Sequence, residues 1–264
     1  MPPKRKPAPK KTKRPNFFMV LYGPGGCGKT TFATNAPSPA LVYSASEDGV
    51  NILVEEGLIP RPRMVKEIGT EFQQWPVLLQ TLEDLATEDS IKTVVVESVT
   101  AFELLAQKYH CETEYNGNWP SFGKYSRGPK ETAKSVWPDF LDVLKRLRGS
   151  GKDIILTAHS TDKELTESNG VSYLKQKVYC DIDLWTFTYT TATAVCFLDV
   201  DICEDRSKKG LKKVAKSDFE RHLHTTKSHW NDCKNWHGWE PIIALPDDPA
   251  KSYQEFQQQC LEKK

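Results

Sequence analysis

The run Gly23-Pro24-Gly25-Gly26-Cys27-Gly28-Lys29-Thr30, followed by Thr31, has the spacing of a loop built to hold phosphate. Its glycines let the backbone turn tightly, so that successive N–H groups point at one anion. A lysine directly after the last glycine reaches the β- and γ-phosphates of a nucleotide and steadies charge during phosphoryl transfer. The hydroxyl after it is a ligand for Mg²⁺. This order of residue types predicts ATP with Mg²⁺, cradled by residues 23–31, with Thr30 on the metal.

Hydrolysis at such a site needs a carboxylate near the metal and a group that orients the attacking water. Thr93-Val94-Val95-Val96-Glu97 reads as a buried strand that delivers Glu97 to its end, where it is expected to hold Mg²⁺ through water. Residues 40–45 form another apolar run, leading into Ser46-Glu47-Asp48-Gly49. Glu47 is the expected base and Asp48 the alternative; a helix cap uses the same residue types. Residues 153–158 lead into His159, placed to sense the γ-phosphate, with a structural histidine as the plainer reading. The catalytic set is thus Lys29, Glu47 and His159.

The elements that must position these groups follow from periodicity. Residues 17–22, 40–45, 93–96 and 153–158 read as strands, and residues 30–35 as a short helix stopped by Pro37 and Pro39. Trp75, Leu78, Leu82 and Leu85 repeat at helical spacing. So do Val136, Phe140, Leu144 and Leu147, with a break at Pro138, and residues 102–109 continue as a helix. Strand-like segments follow at 172–177 and 193–202. This alternation predicts an α/β fold with a mainly parallel central sheet flanked by helices.

The motif order resembles the RecA-like P-loop ATP-binding proteins of phages and bacteria, an AAA-domain family that includes Sak-type single-strand annealing recombinases. Phe122-Gly123-Lys124-Tyr125 is loosely similar to a segment of those relatives. Cys233-Lys234-Asn235-Trp236 stands where they carry a late motif with arginine in place of Trp236. Glu97 stands where they carry aspartate, which adds a methylene between backbone and metal. The resemblance spans roughly residues 16–250. It implies a RecA-type core, ATP with Mg²⁺, slow hydrolysis and a setting in DNA recombination, annealing or repair. It also implies Lys29, Thr30, Glu47, Glu97 and His159 as functional positions, and a self-assembling oligomer. Single-stranded DNA and a single-strand binding protein are the expected partners.

With 38% hydrophobic and 27% charged residues, the chain reads as globular, and no apolar run is long enough to span a membrane. Seven cysteines without a CxxC pair point to reduced thiols and a cytoplasmic setting, and the resemblance implies a bacterium or phage-infected cell. Residues 1–15 hold Lys4, Arg5, Lys6, Lys10, Lys11, Lys13 and Arg14 and no acid. They read as a disordered basic arm, serving as a nucleic-acid contact, a nuclear import signal or a solubilising tail. Residues 16–250 are then the nucleotide-binding domain, and 251–264 a C-terminal helical tail. Lys124, Tyr125 and Arg127 interleave an aromatic ring with cations, the pattern of a single-strand grip; a bland surface loop is the alternative. If residues 227–236 were helical, His229, Cys233 and His237 would share a face for zinc, with His222 and His224 nearby; a polar surface is the plainer reading. Two other functions stay open: a nucleotide-gated binding module with little hydrolysis, and a small-molecule kinase, which would need an arginine-rich lid.

Overall fold

Apolar residues fill every position of the first strand, so both faces of the sheet around it are covered. The computed structural model describes residues 15–59, 62–166, 170, 172–202 and 219–262. In chain order the elements are β1 (Phe18–Gly23), α1 (Lys29–Thr34), β2 (Pro39–Ser44), α2 (Asp48–Glu55), β3 (Met64–Ile68), α3 (Gln74–Thr87), β4 (Thr93–Glu97) and α4 (Val99–Tyr115). There follow α5 (Trp119–Gly123), α6 (Arg127–Ser135), α7 (Trp137–Gly149), β5 (Asp153–Thr166), β6 (Ser172–Val178) and α8 (Ile182–Thr191). The chain continues through β7 (Ala194–Ile202), β8 (Phe219–His224), β9 (Lys234–Asn235), β10 (Ile242–Leu245) and α9 (Ser252–Phe256).

The main sheet runs β10-β8-β7-β1-β5-β4-β2-β3. It is parallel from β7 to β3, and β8 and β10 extend it antiparallel. β6 folds back on the outer half of β5, and β9 pairs with the start of β7. This is the mixed α/β fold with a mostly parallel, helix-flanked sheet that the alternation predicts.

Side chains of a strand point alternately to opposite faces, and the core splits accordingly. Phe18, Val20 and Tyr22 join Val94, Val96, Ile154 and Leu156 against α3, α4, α7 and α8. Phe17, Met19 and Leu21 join Leu41, Val95 and Ile155 against α1 and the C-terminal residues Tyr253 and Phe256. Trp137 is fully buried, and its indole N–H donates to Thr188 Oγ1 at 2.8 Å. The expected break at Pro138 is a new helix: α6 ends at Ser135, and Pro138 sits in the first turn of α7, where a missing N–H costs nothing.

One expectation is corrected. Residues 227–236 are not helical: they are turns and the short β9, so His229, Cys233 and His237 share no helical face. Among the described residues no group of three or more His, Cys, Asp or Glu side chains is placed to hold a metal ion. In the C-terminal segment Ser252–Phe256 is helical, and Tyr253 and Phe256 pack at 5.3 and 5.7 Å from the Phe32 ring of α1. Residues 1–14, which hold Lys4, Arg5 and Lys6 of the expected arm, lie outside the described residues. No described helix is long and apolar enough to cross a membrane.

Candidate active site

Parallel pairing fixes which residues meet at one end of the sheet. The β1–β5 register sets Gly23 level with His159, and the β2–β4 register sets Tyr43 level with Glu97. The phosphate loop, Glu47, Glu97 and His159 therefore line one cleft of about 350 Å³ at the carboxyl ends of the strands. Open parallel sheets bind their ligands at that end. Val50 and Leu53 of α2 form an apolar wall. Asp48 begins α2 and is exposed, whereas Glu47 faces the cleft.

The loop is held in shape from beneath. Gly23 approaches β7 so closely that an added Cβ would lie 2.4 Å from Leu198 O. Gly28, at φ 93°, adopts a left-handed conformation, and a Cβ there would also meet Arg221 Nη2 at 2.4 Å. Arg221, buried on β8, donates to Cys27 O at 2.7 Å and to Ser252 Oγ at 2.8 Å. The loop is thereby tied to the C-terminal segment. Arg221 was invisible to sequence reasoning because its partners lie 194 and 31 residues away and its strand has no motif.

Lys29 is buried to 6% exposure, and its ammonium donates to Gly23 O at 3.0 Å and Pro24 O at 2.7 Å. Glu97 is 4% exposed, and its Oε2 has no hydrogen-bond partner. Burial pushes its carboxyl up to about 7, against the pull of the nearby Lys29 charge, while Glu47 adds to the rise. An orphaned, buried carboxylate oxygen beside a threonine hydroxyl is an oxygen-only donor set that suits Mg²⁺. Thr30 and Glu97 thus fit the metal.

Glu47 lies in a different environment. Its Oε2 is 3.8 Å from His159 Nε2, and its Oε1 accepts a 2.7 Å hydrogen bond from Ser98 Oγ. At 3.8 Å this contact is longer than a formed hydrogen bond. His159 first and Ser98 second hold the Glu47 carboxyl below the usual range, against an opposing push from burial. Two carboxylates with pKa values driven apart is the arrangement expected where one stays ionised as a base. Ser98 is also the N-cap of α4, and the Glu97–Ser98 peptide is cis. A serine between a buried strand and a helix was the available sign of this second role.

The other expected residues lie elsewhere. Lys124, Tyr125 and Arg127 sit beyond the C-terminal end of α4, whose N-terminus abuts the cleft. Lys234, of the late motif, donates to Thr190 O at 3.4 Å and lies 4.0 Å from the Trp236 ring, near the Ala194 end of β7. Asn235 organises the adjacent turn through Trp239 O and the His237 N–H. Trp239 is buried and Trp236 is 67% exposed.

A family profile described as an AAA domain matches residues 16–236 of the 264. The chain belongs to this AAA-domain family. AAA-domain proteins of the P-loop type are nucleotide-binding ATPases that generally use ATP with Mg²⁺, which accords with the oxygen donors at Thr30 and Glu97. No curated protein matches this AAA-domain chain.

Glu97 has a consequence for stability. Its folded pKa lies above the value of about 4.5 in the open chain, so ionisation disfavours the fold. Stability linked to this group is full below that lower value, declines as pH rises to about 7, and is then flat. The loss amounts to about 3 kcal/mol. Without Mg²⁺, Glu97→Gln is expected to melt several degrees above wild type at pH 8, with a smaller gap at pH 5. Thermal melts at the two pH values check this; an unchanging gap means an ordinary carboxyl.

Proposed function

We propose that this protein is a slow, Mg²⁺-dependent ATP hydrolase of RecA-like architecture that acts on single-stranded DNA in recombination, annealing or repair. The observation that carries the hydrolase reading is the convergence of Lys29, Thr30, Glu97, Glu47 and His159 on one cleft. The RecA-like reading is supported by strand order, since β5 lies between β1 and β4 and brings His159 between the phosphate loop and Glu97. DNA as the substrate of the work is supported by the motif resemblance and the basic N-terminal sequence.

In this reading the loop N–H groups and Lys29 bind the β- and γ-phosphates, for which Lys29 exchanges its two carbonyl acceptors. Thr30 and, through water, Glu97 hold Mg²⁺, which neutralises developing charge on the phosphates. Glu47 orients the attacking water and accepts its proton. Ser98 fixes one Glu47 oxygen, leaving the other toward His159. His159, level with Gly23, sits where the terminal phosphate is sensed.

The test is ATP turnover with and without single-stranded DNA at two salt concentrations, for the full chain and for a chain lacking residues 1–14. DNA is expected to accelerate turnover. An arm using four or five of its charges gives binding a salt slope of roughly −3, which the truncation flattens while ATP affinity stays unchanged. Tight ATP binding without turnover would instead assign a nucleotide-gated module. Turnover indifferent to DNA would remove the DNA part of the proposal.

A further inference from the structure

The segment after α4 is clamped at both ends and strained at its tip. Phe122 is buried at 1% exposure, edge-on to Tyr115 at 5.4 Å and His110 at 6.0 Å. Gly128 packs against it so tightly that an added Cβ would lie 2.3 Å from the Phe122 ring. His110 Nδ1 and Thr132 Oγ1, 2.8 Å apart, join α4 to α6. Between these anchors Tyr125 (φ 55°) and Ser126 (φ 53°) are consecutive left-handed residues. Neither is glycine, so the backbone adopts this shape at a conformational cost. What the shape achieves is display: Tyr125 is 88% exposed, the most exposed large hydrophobic side chain among the described residues.

The surroundings indicate what such a ring meets. Lys124 Nζ lies 5.6 Å from the Tyr125 ring centre. Lys130, on the helix that begins two residues later, is exposed. Arg127 is committed to Glu131 at 2.7 Å, and Glu131 also accepts from Tyr115 OH, so the guanidinium is less available than the sequence suggested. The neighbouring cleft of about 760 Å³ between α4 and α6 is lined by Glu114, Glu131 and Asp139 as well as Arg127 and Lys134, so acids outnumber bases there and disfavour a polyanion. The tip, rather than that cleft, carries unopposed positive charge. A displayed ring flanked by ammonium groups matches the chemistry of an unstacked base and its phosphates.

We infer that Tyr125 is a base-stacking anchor for single-stranded DNA, with Lys124 and Lys130 on the flanking phosphates. The inference rests on the DNA-directed part of the reading above and names the contact. Duplex bases are already stacked on their neighbours and offer no free face to a ring at this tip. The tip packs toward the C-terminal end of α4, a helix about 25 Å long whose N-terminus abuts the ATP cleft, and no tip residue lines that cleft, so hydrolysis without DNA does not depend on it.

The full chain, wild type or substituted, is titrated against a labelled oligothymidylate and against an abasic deoxyribose-phosphate oligomer of the same length. Tyr125→Ala is expected to weaken oligothymidylate binding about tenfold or more and to leave abasic binding unchanged. Tyr125→Phe keeps wild-type affinity. Tyr125→Gly binds like Tyr125→Ala and melts no lower than wild type, because glycine suits the left-handed tip. All three hydrolyse ATP at the wild-type rate without DNA. The anchor is overturned if Tyr125→Ala binds oligothymidylate as wild type does, or loses equal affinity for the abasic oligomer. It is also overturned if Tyr125→Gly melts well below wild type, which would make the ring structural. Wild type binding neither oligomer overturns the DNA-directed reading together with the anchor, and ATP turnover in the same preparation shows whether the hydrolase reading stands.

Discussion

Lys29→Ala abolishes measurable ATP binding and turnover while the chain stays folded. The ammonium is buried in the loop it serves, within 3.0 Å of both Gly23 O and Pro24 O. Removing it forfeits charge-assisted hydrogen bonds to two phosphates, each worth roughly 1.5–3 kcal/mol. The sum is on the order of 10²–10⁴ in affinity. The structural cost is smaller. One buried carbonyl loses a partner, about 1–3 kcal/mol against a typical stability of about 5–15. Calorimetric titration with ATP and Mg²⁺, paired with a thermal melt, checks both halves. Wild-type affinity in this variant would refute the phosphate-loop assignment.

Glu47→Gln is expected to bind ATP normally and to lower turnover by roughly 10²-fold or more. The amide oxygen still accepts the Ser98 hydrogen bond, so the side chain keeps its place but cannot take a proton. Asp48→Asn is expected to behave as wild type, because Asp48 is exposed at the start of α2. The pH dependence has a definite sign. A carboxyl held below its usual range stays ionised into mild acid, so turnover persists as pH falls and is lost only through that lowered pKa. Ser98→Ala removes one of the two supports and shifts the acidic limb upward. Single-turnover rates over a pH series separate these outcomes; normal turnover by Glu47→Gln with a dead Asp48→Asn would exchange the two acids.

The parts legible in the sequence were those under the tightest local constraint. The loop at 23–31 fixes residue types position by position, and β1, β4 and β5 are buried on both faces where they approach the cleft, so each shows an unbroken apolar run. β3 was not legible because it is an edge strand: four of its five residues are exposed, and Lys66 and Glu67 break any apolar alternation. α8 hides differently. Its sequence, Ile182–Thr191, is rich in threonine and aromatic residues that favour strands, and tertiary contacts override that preference. β5 runs on to Thr166 beyond the apolar stretch, where pairing with β6 rather than burial holds it. At the site, Glu97 and His159 could be placed by counting along a strand, whereas the Ser98–Glu47 bond and the Arg221 brace join distant segments and leave no local pattern.

The brace beneath the phosphate loop also orders events in time. β7, Arg221, Ser252 and Phe256, which back the loop and α1, are all made after them. A nascent chain short of β8 carries the loop, Glu47, Glu97 and His159 but lacks the Arg221 donor to Cys27 O. The loop therefore gains its full set of hydrogen bonds only after these later segments have joined it.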